Sequence, residues 1–136
     1  NLQAGILNIK MKRIVEWTKI RTSIANLYTE NLIDLDEVKT PLVNEYNDHS
    51  WHLYVIKTKK RNELKKYLNE MGIPTGIHYP VSLPFLPAYS SLKHSVKEFP
   101  NAYENQQQIL SLPIHPHLTE DDALYISNSV KAFFNS

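Results

Sequence analysis

The chain has 136 residues, 42% of them apolar and 21% charged, which suits one compact domain with a buried core and hardly two. Its 15 basic and 14 acidic side chains nearly cancel, unlike the basic excess of a dedicated polyanion binder. The absence of cysteine excludes disulfide scaffolds, cysteine zinc sites and thiol catalysis. A helical pattern is already running at the first residues. At about 100° per residue, Leu2, Ile6, Ile9, Trp17, Ile20, Ile24, Leu27 and Tyr28 share one broad face. Leu7, Met11, Ile14 and Val15 add a second apolar stripe in the first half alone. A surface helix normally carries one stripe, and no capping residue is expected before this one. One long helix is therefore predicted, covered on two sides in its first half, in a chain that is the C-terminal piece of something longer.

Residues 33–40 read as polar connection closed by Pro41, and Leu42 and Val43 as the start of a short strand. Turn chemistry fills 45–50. Residues 51–58 are the best strand in the sequence, with Trp51, Leu53 and Val55 alternating against His52, Tyr54 and Ile56. These two strands are expected to pair antiparallel. An amphipathic helix follows over 61–71, with Leu64, Leu68 and Met71 on one face and Gly72 just past its end, where helix ends prefer glycine. A second strand is expected over 73–79. Residues 80–100, with four of the eight prolines, form a long irregular loop of the kind that carries function. A short helix is expected over 101–109 and an edge strand over 110–112, stopped by Pro113. Thr119 opens the last helix, with Asp122 three residues on and Ala123, Ile126, Val130 and Phe133 as its buried stripe. The predicted class is α+β: a small, mostly antiparallel sheet packed with helices and led by a long N-terminal helix.

Few residues stand out for chemistry. No Ser-His-Asp order, zinc-hydrolase helix or Schiff-base lysine context is present, and the three glycines, Gly5, Gly72 and Gly76, assemble neither a Walker loop nor a dinucleotide fingerprint. His49 and His52 fall on opposite faces of a strand start. His115 and His117 flank Pro116 and read as a rigid polar turn, and His94 as a solvated loop residue. No metal site is expected. Lys57, Lys59, Lys60, Arg61, Lys65 and Lys66 read as a turn and the solvent face of a helix, because no aromatic residues are interleaved for base stacking. His78 and Tyr79 are the candidates. They end a strand and enter the long loop, a common binding position, and a histidine there can exchange a proton near neutral pH. No uninterrupted apolar run reaches membrane-spanning length and the N-terminus does not read as a signal peptide. The expected compartment is the cytoplasm, with neither nucleic acid nor membrane as a partner.

Several blocks in order resemble the DegT/DnrJ/EryC1/StrS aminotransferases, pyridoxal-phosphate enzymes acting on nucleotide-linked keto sugars. They are Leu2-Gln3-Ala4-Gly5-Ile6-Leu7 with Trp17 and Arg21, Ser50-Trp51-His52-Leu53-Tyr54-Val55-Ile56, Gly72-Ile73-Pro74-Thr75-Gly76-Ile77-His78-Tyr79-Pro80, Pro87-Ala88-Tyr89, Phe99-Pro100, and Leu110-Ser111-Leu112-Pro113-Ile114-His115-Pro116-His117-Leu118-Thr119. The resemblance implies that residues 1–136 are the small C-terminal domain of a fold-type I enzyme, whose lysine-bearing domain and most pyridoxal 5'-phosphate contacts lie outside this chain. It implies ping-pong transamination in a homodimer, with glutamate as the usual amino donor and a nucleotide sugar as acceptor, for polysaccharide or amino-sugar biosynthesis. This fragment alone would then be inactive, with no catalytic and no cofactor-binding residue of its own. His78 and Tyr79 match the family's His-Tyr pair and would contact substrate. The loop departs from the family pattern: Pro84 stands where many members have histidine, Leu86 where they have glutamine, and Tyr103 replaces a frequent glutamate. A sugar dehydratase of the same fold and a non-enzymatic interaction module are the alternatives.

Overall fold

The computed structural model describes residues 1–135. The first helical pattern forms two helices, not one. Helix α1 (Leu2–Met11) and helix α2 (Ile14–Leu32) are separated at Lys12 and Arg13, where the Arg13 N–H donates to the Lys10 carbonyl at 3.0 Å in a tightened last turn. The start is capped after all, since the Asn1 side-chain oxygen accepts from the Gln3 N–H at 3.0 Å. Helix α1 buries none of its residues, and both apolar stripes of this half are bare. Helix α2 buries Ile24, Ala25, Tyr28 and Leu32.

Strand β1 (Tyr54–Lys57) pairs antiparallel with β2 (Ile109–Leu112), with Tyr54 opposite Leu112 and Ile56 opposite Leu110. The expected partner of β1, Leu42–Val43, is not a strand. Leu42 is 99% exposed, so it has no face to bury, and among the described residues the other edge of β1 is met only by Lys39 bridging to Lys57. Trp51 is buried but lies before the strand, at φ 50°, with its N–H donating to His49 Nδ1 at 2.9 Å. The strand expected over 73–79 shrinks to a single bridge between Gly76 and Ser111 on the far edge of β2. Pro74, with no N–H to give, and Pro80 bound the stretch that can pair.

Helix α3 (Arg61–Glu70) ends as expected, with Gly72 at φ 76°. The long loop is more ordered than its prolines suggest, holding 3₁₀ turns at Leu83–Phe85 and Pro87–Leu92. Helix α4 (Pro100–Gln108) leads directly into β2, and helix α5 (Glu120–Asn135) closes the chain. Helix α5 packs on α2, and α3 packs on α5 and β2. The shared core holds Tyr28 and Leu32 of α2, Tyr54 and Ile56 of β1, Leu64 and Leu68 of α3, Leu110 of β2 and Val130 of α5. Burial raises the pKa of both core phenols, Tyr54 to about 12, against the lowering effect of its bond with Thr29. Their hydroxyls are satisfied: Tyr28 donates to the Pro113 carbonyl at 2.8 Å, and Tyr54 shares a 2.8 Å bond with Thr29.

The start of α5 is the capping arrangement read from the sequence. Thr119 Oγ1 accepts from the Asp122 N–H at 3.1 Å, and the Asp122 carboxylate accepts from the Thr119 N–H at 3.1 Å and its hydroxyl at 2.6 Å. Those bonds, the hydroxyl's first, hold the Asp122 carboxyl below its ordinary value of 3.8. A carboxylate with a lowered folded pKa contributes stability above the unfolded value and loses it as pH falls through the folded one. Thr119→Ala is therefore expected to cost about 1 kcal/mol near neutral pH and to make stability fall less steeply with acid. Denaturant melts from neutral pH down through and below the ordinary aspartate value of 3.8 will show it.

Candidate functional site

The site grows from β2. Ser111, only 4% exposed, stands in the middle of an otherwise apolar strand. Two backbone bonds tie it to Gly76: the Gly76 N–H donates to the Ser111 carbonyl at 3.1 Å, and the Ser111 N–H to the Gly76 carbonyl at 2.7 Å. That bridge sets the segment carrying both candidates. His78 folds back over it, placing Nδ1 2.9 Å from Ser111 Oγ. Its ring lies so close to Gly76 that a Cβ there would meet Cε1 at 2.5 Å. Glycine is required here for the space it leaves. With Nδ1 engaged, Nε2 is the nitrogen left to a ligand. Tyr79 is 73% exposed and stands edge-on to His78, with ring centroids 5.9 Å apart.

Both residues line a cleft of about 730 Å³, within the range of roughly 300–1,000 Å³ usual for small-molecule sites. Pro80, Val81, Leu83 and Leu86 form one side, α4 the other, and Val55 and Ile109 come from the two strands. The loop is stitched to α4. Gln106 Oε1 accepts from the Ser82 N–H at 2.8 Å and from the Ser82 hydroxyl at 3.0 Å. Tyr103 packs edge-on against Phe85, with ring centroids 5.5 Å apart. No lysine, arginine, aspartate or glutamate lines the cleft.

The structure brings His78 and Tyr79 together with Gly76 and Ser111, which sequence reasoning did not single out. A serine inside an apolar strand was the available signal for Ser111, since buried polar side chains want a partner. No signal marked Gln106, a neutral amide in a polar helix. The other candidates lie elsewhere. Arg61 donates to the Gln106 carbonyl at 3.3 Å and the Ile109 carbonyl at 3.5 Å, occupying acceptors at the end of α4. Lys60 lies over the Phe133 and Phe134 rings at 6.0 and 5.8 Å. The basic cluster thus serves partly to hold the fold. His115 Nδ1 accepts from the His117 N–H at 3.3 Å in the turn before α5. Among the described residues, no group of three or more His, Cys, Asp or Glu could hold a metal, and no helix is long and apolar enough to cross a membrane.

The profile of the DegT/DnrJ/EryC1/StrS aminotransferase family matches residues 1–131. The chain belongs to this family. It is 34% identical over 131 residues, 96% of the chain, to the erythromycin biosynthesis sensory transduction protein EryC1 of Saccharopolyspora erythraea. Over 130 residues it is 34% identical to dTDP-3-amino-3,4,6-trideoxy-alpha-D-glucose transaminase of Streptomyces venezuelae, again over 96% of the chain. The chain spans 36% and 34% of the length of these relatives. Among solved structures it is similar to S. venezuelae DesV in complex with a ketimine intermediate, at TM-score 0.94 and 33% identity over 98% of the chain and 36% of DesV. A DegT-family aminotransferase from Brucella abortus gives TM-score 0.88 at 33% identity, over 98% of the chain and 35% of that protein. The α+β fold with a small antiparallel sheet, expected of this family's C-terminal region, is the fold observed.

Proposed function

We propose that this chain is the small C-terminal domain of a pyridoxal-phosphate aminotransferase that passes an amino group from glutamate to a nucleotide-linked keto sugar. In this reading His78 and Tyr79 contact the substrate, and the domain closes one wall of the site within a homodimer. The observation that carries it is the uncharged cleft headed by a braced His78–Tyr79 pair, in a chain whose relatives include a sugar-nucleotide transaminase. The cofactor supplies the electron sink for amino transfer. Its site needs a lysine amine and donors for a phosphate, and this cleft's lining holds neither lysine nor arginine. No step through the cofactor is assigned to this chain. What these residues do is bind and orient: the apolar side chains exclude water, and His78 Nε2 meets a polar atom of the substrate.

The test is the absorbance spectrum of the full gene product before and after adding glutamate. Conversion of bound cofactor from its carbonyl-bearing to its amine-bearing form is the expected result, and the 136-residue chain alone should show no such conversion. A full product that neither carries nor takes up the cofactor would overturn the proposal.

A further inference from the structure

Two carboxamides on α4 face the cleft beside the His78–Tyr79 pair, and they differ in what is left to them. Gln106 Oε1 already accepts two bonds from Ser82, at 2.8 and 3.0 Å. Its amide NH2 is then the part that can turn to a ligand, and it only donates. The Asn105 carboxamide has no hydrogen-bond partner among the described residues, so its oxygen and its NH2 are both open. Around them the wall is aliphatic: Val55, Val81, Leu83, Leu86 and Ile109. In such a wall a few placed polar groups set orientation and specificity.

The charge of this wall favours one part of a nucleotide sugar over the other for these amides. A diphosphate brings negative charge that wants guanidinium or ammonium partners, and no such side chain lines the cleft. A neutral, hydroxyl-bearing ring suits neutral donors backed by aliphatic contacts. We infer that Gln106 and Asn105 are specificity-determining residues that read the uncharged sugar portion of the substrate, with the Gln106 NH2 donating to a sugar oxygen. The Ser82 bonds hold the Gln106 amide in one orientation, so the donor is preorganised. This rests on the reading of the cleft as the sugar site.

The discriminating variant is Gln106→Glu. A carboxylate still accepts both bonds from Ser82, so the loop brace survives, while the donor is lost and replaced by a negatively charged acceptor. Binding is measured on the full gene product by titration calorimetry. The probes are the diphosphates of thymidine, uridine and guanosine, each alone and as its glucose conjugate, and the pair with measurable affinity is followed. The expected result is about a tenfold loss for the sugar conjugate in Gln106→Glu and in Asn105→Asp, with a clearly smaller loss for the bare diphosphate, which feels the added charge only through space. Ser82→Ala, which loosens the brace but keeps the donor, should lose less. If Gln106→Glu binds normally while Ser82→Ala does not, Gln106 is a brace only and the inference falls. Equal losses for conjugate and bare diphosphate would place the phosphates here and also overturn it. The glutamate half-reaction separates the two levels. If it proceeds and no sugar conjugate binds better than its nucleotide, the inference alone fails. If it does not proceed, the aminotransferase reading fails as well.

Discussion

Gly76→Ala is expected to unseat His78 while leaving the domain folded. The added methyl would lie 2.5 Å from His78 Cε1 and 3.2 Å from Nδ1, a separation that carbon atoms do not tolerate. The cheapest escape is rotation of the imidazole, because the colliding group is an exposed side chain and not backbone. Rotation breaks the 2.9 Å bond to Ser111 Oγ and shifts the ring from its place in the cleft lining. If His78 contacts the sugar, roughly a tenfold loss in affinity for the nucleotide sugar should follow, about the 1.4 kcal/mol at the upper end for one hydrogen bond. Ser111→Ala removes the brace without the clash and should act in the same direction, more weakly. Two readouts are needed. The His78 ring resonances report whether it has moved, and titration of the nucleotide sugar reports the consequence. A ring that moves with unchanged affinity would remove His78 from the substrate contacts.

The second large effect is on stability. Leu68→Ala should destabilise the domain by about 2–5 kcal/mol, the usual cost of a buried leucine truncated beside a core that relaxes only in part. Leu68 is fully buried on α3, and α3 reaches both α5 and β2. A hole there loosens three elements at once. Against a total of roughly 5–15 kcal/mol for a domain, the loss is large. It will be read as a lower denaturant midpoint at unchanged slope. Leu42→Ala is the control. That side chain is 99% exposed, and its loss should stay within about 0.5 kcal/mol. A Leu68 effect no larger than the control would mean that α3 is not part of one cooperative core.

The bare apolar face of α1 and the first turn of α2 follows from the same accounting. Leu2, Leu7, Ile9, Met11 and Val15 are each more than half exposed. The sequence pattern of two apolar stripes anticipated a helix covered on more than one side. In this chain neither stripe of that half is covered.

Legible in the sequence were the features held by contacts a few residues apart. The end of α3 at Gly72, the Thr119–Asp122 cap and the stripe of α5 are set by interactions within about one helical turn. The positions of β1 and β2 were also legible, from β-branched and apolar residues bounded by turns and proline. The order of the family blocks also picked out His78 and Tyr79 as candidates, and the structure sets both on one cleft. The tertiary structure alone decided who pairs with whom. Strand β1 chose β2 over Leu42–Val43 because that pairing buries Tyr54, Ile56, Leu110 and Leu112, a gain invisible to any local window. The site is non-local for the same reason. His78 meets Ser111 across 33 residues and Ser82 meets Gln106 across 24. Each bond forms only after the Gly76 bridge and the α4–β2 junction have brought the two segments together. Hydrogen-bond partners at such separations are set by which apolar faces are buried against each other, and burial is a property of the whole fold.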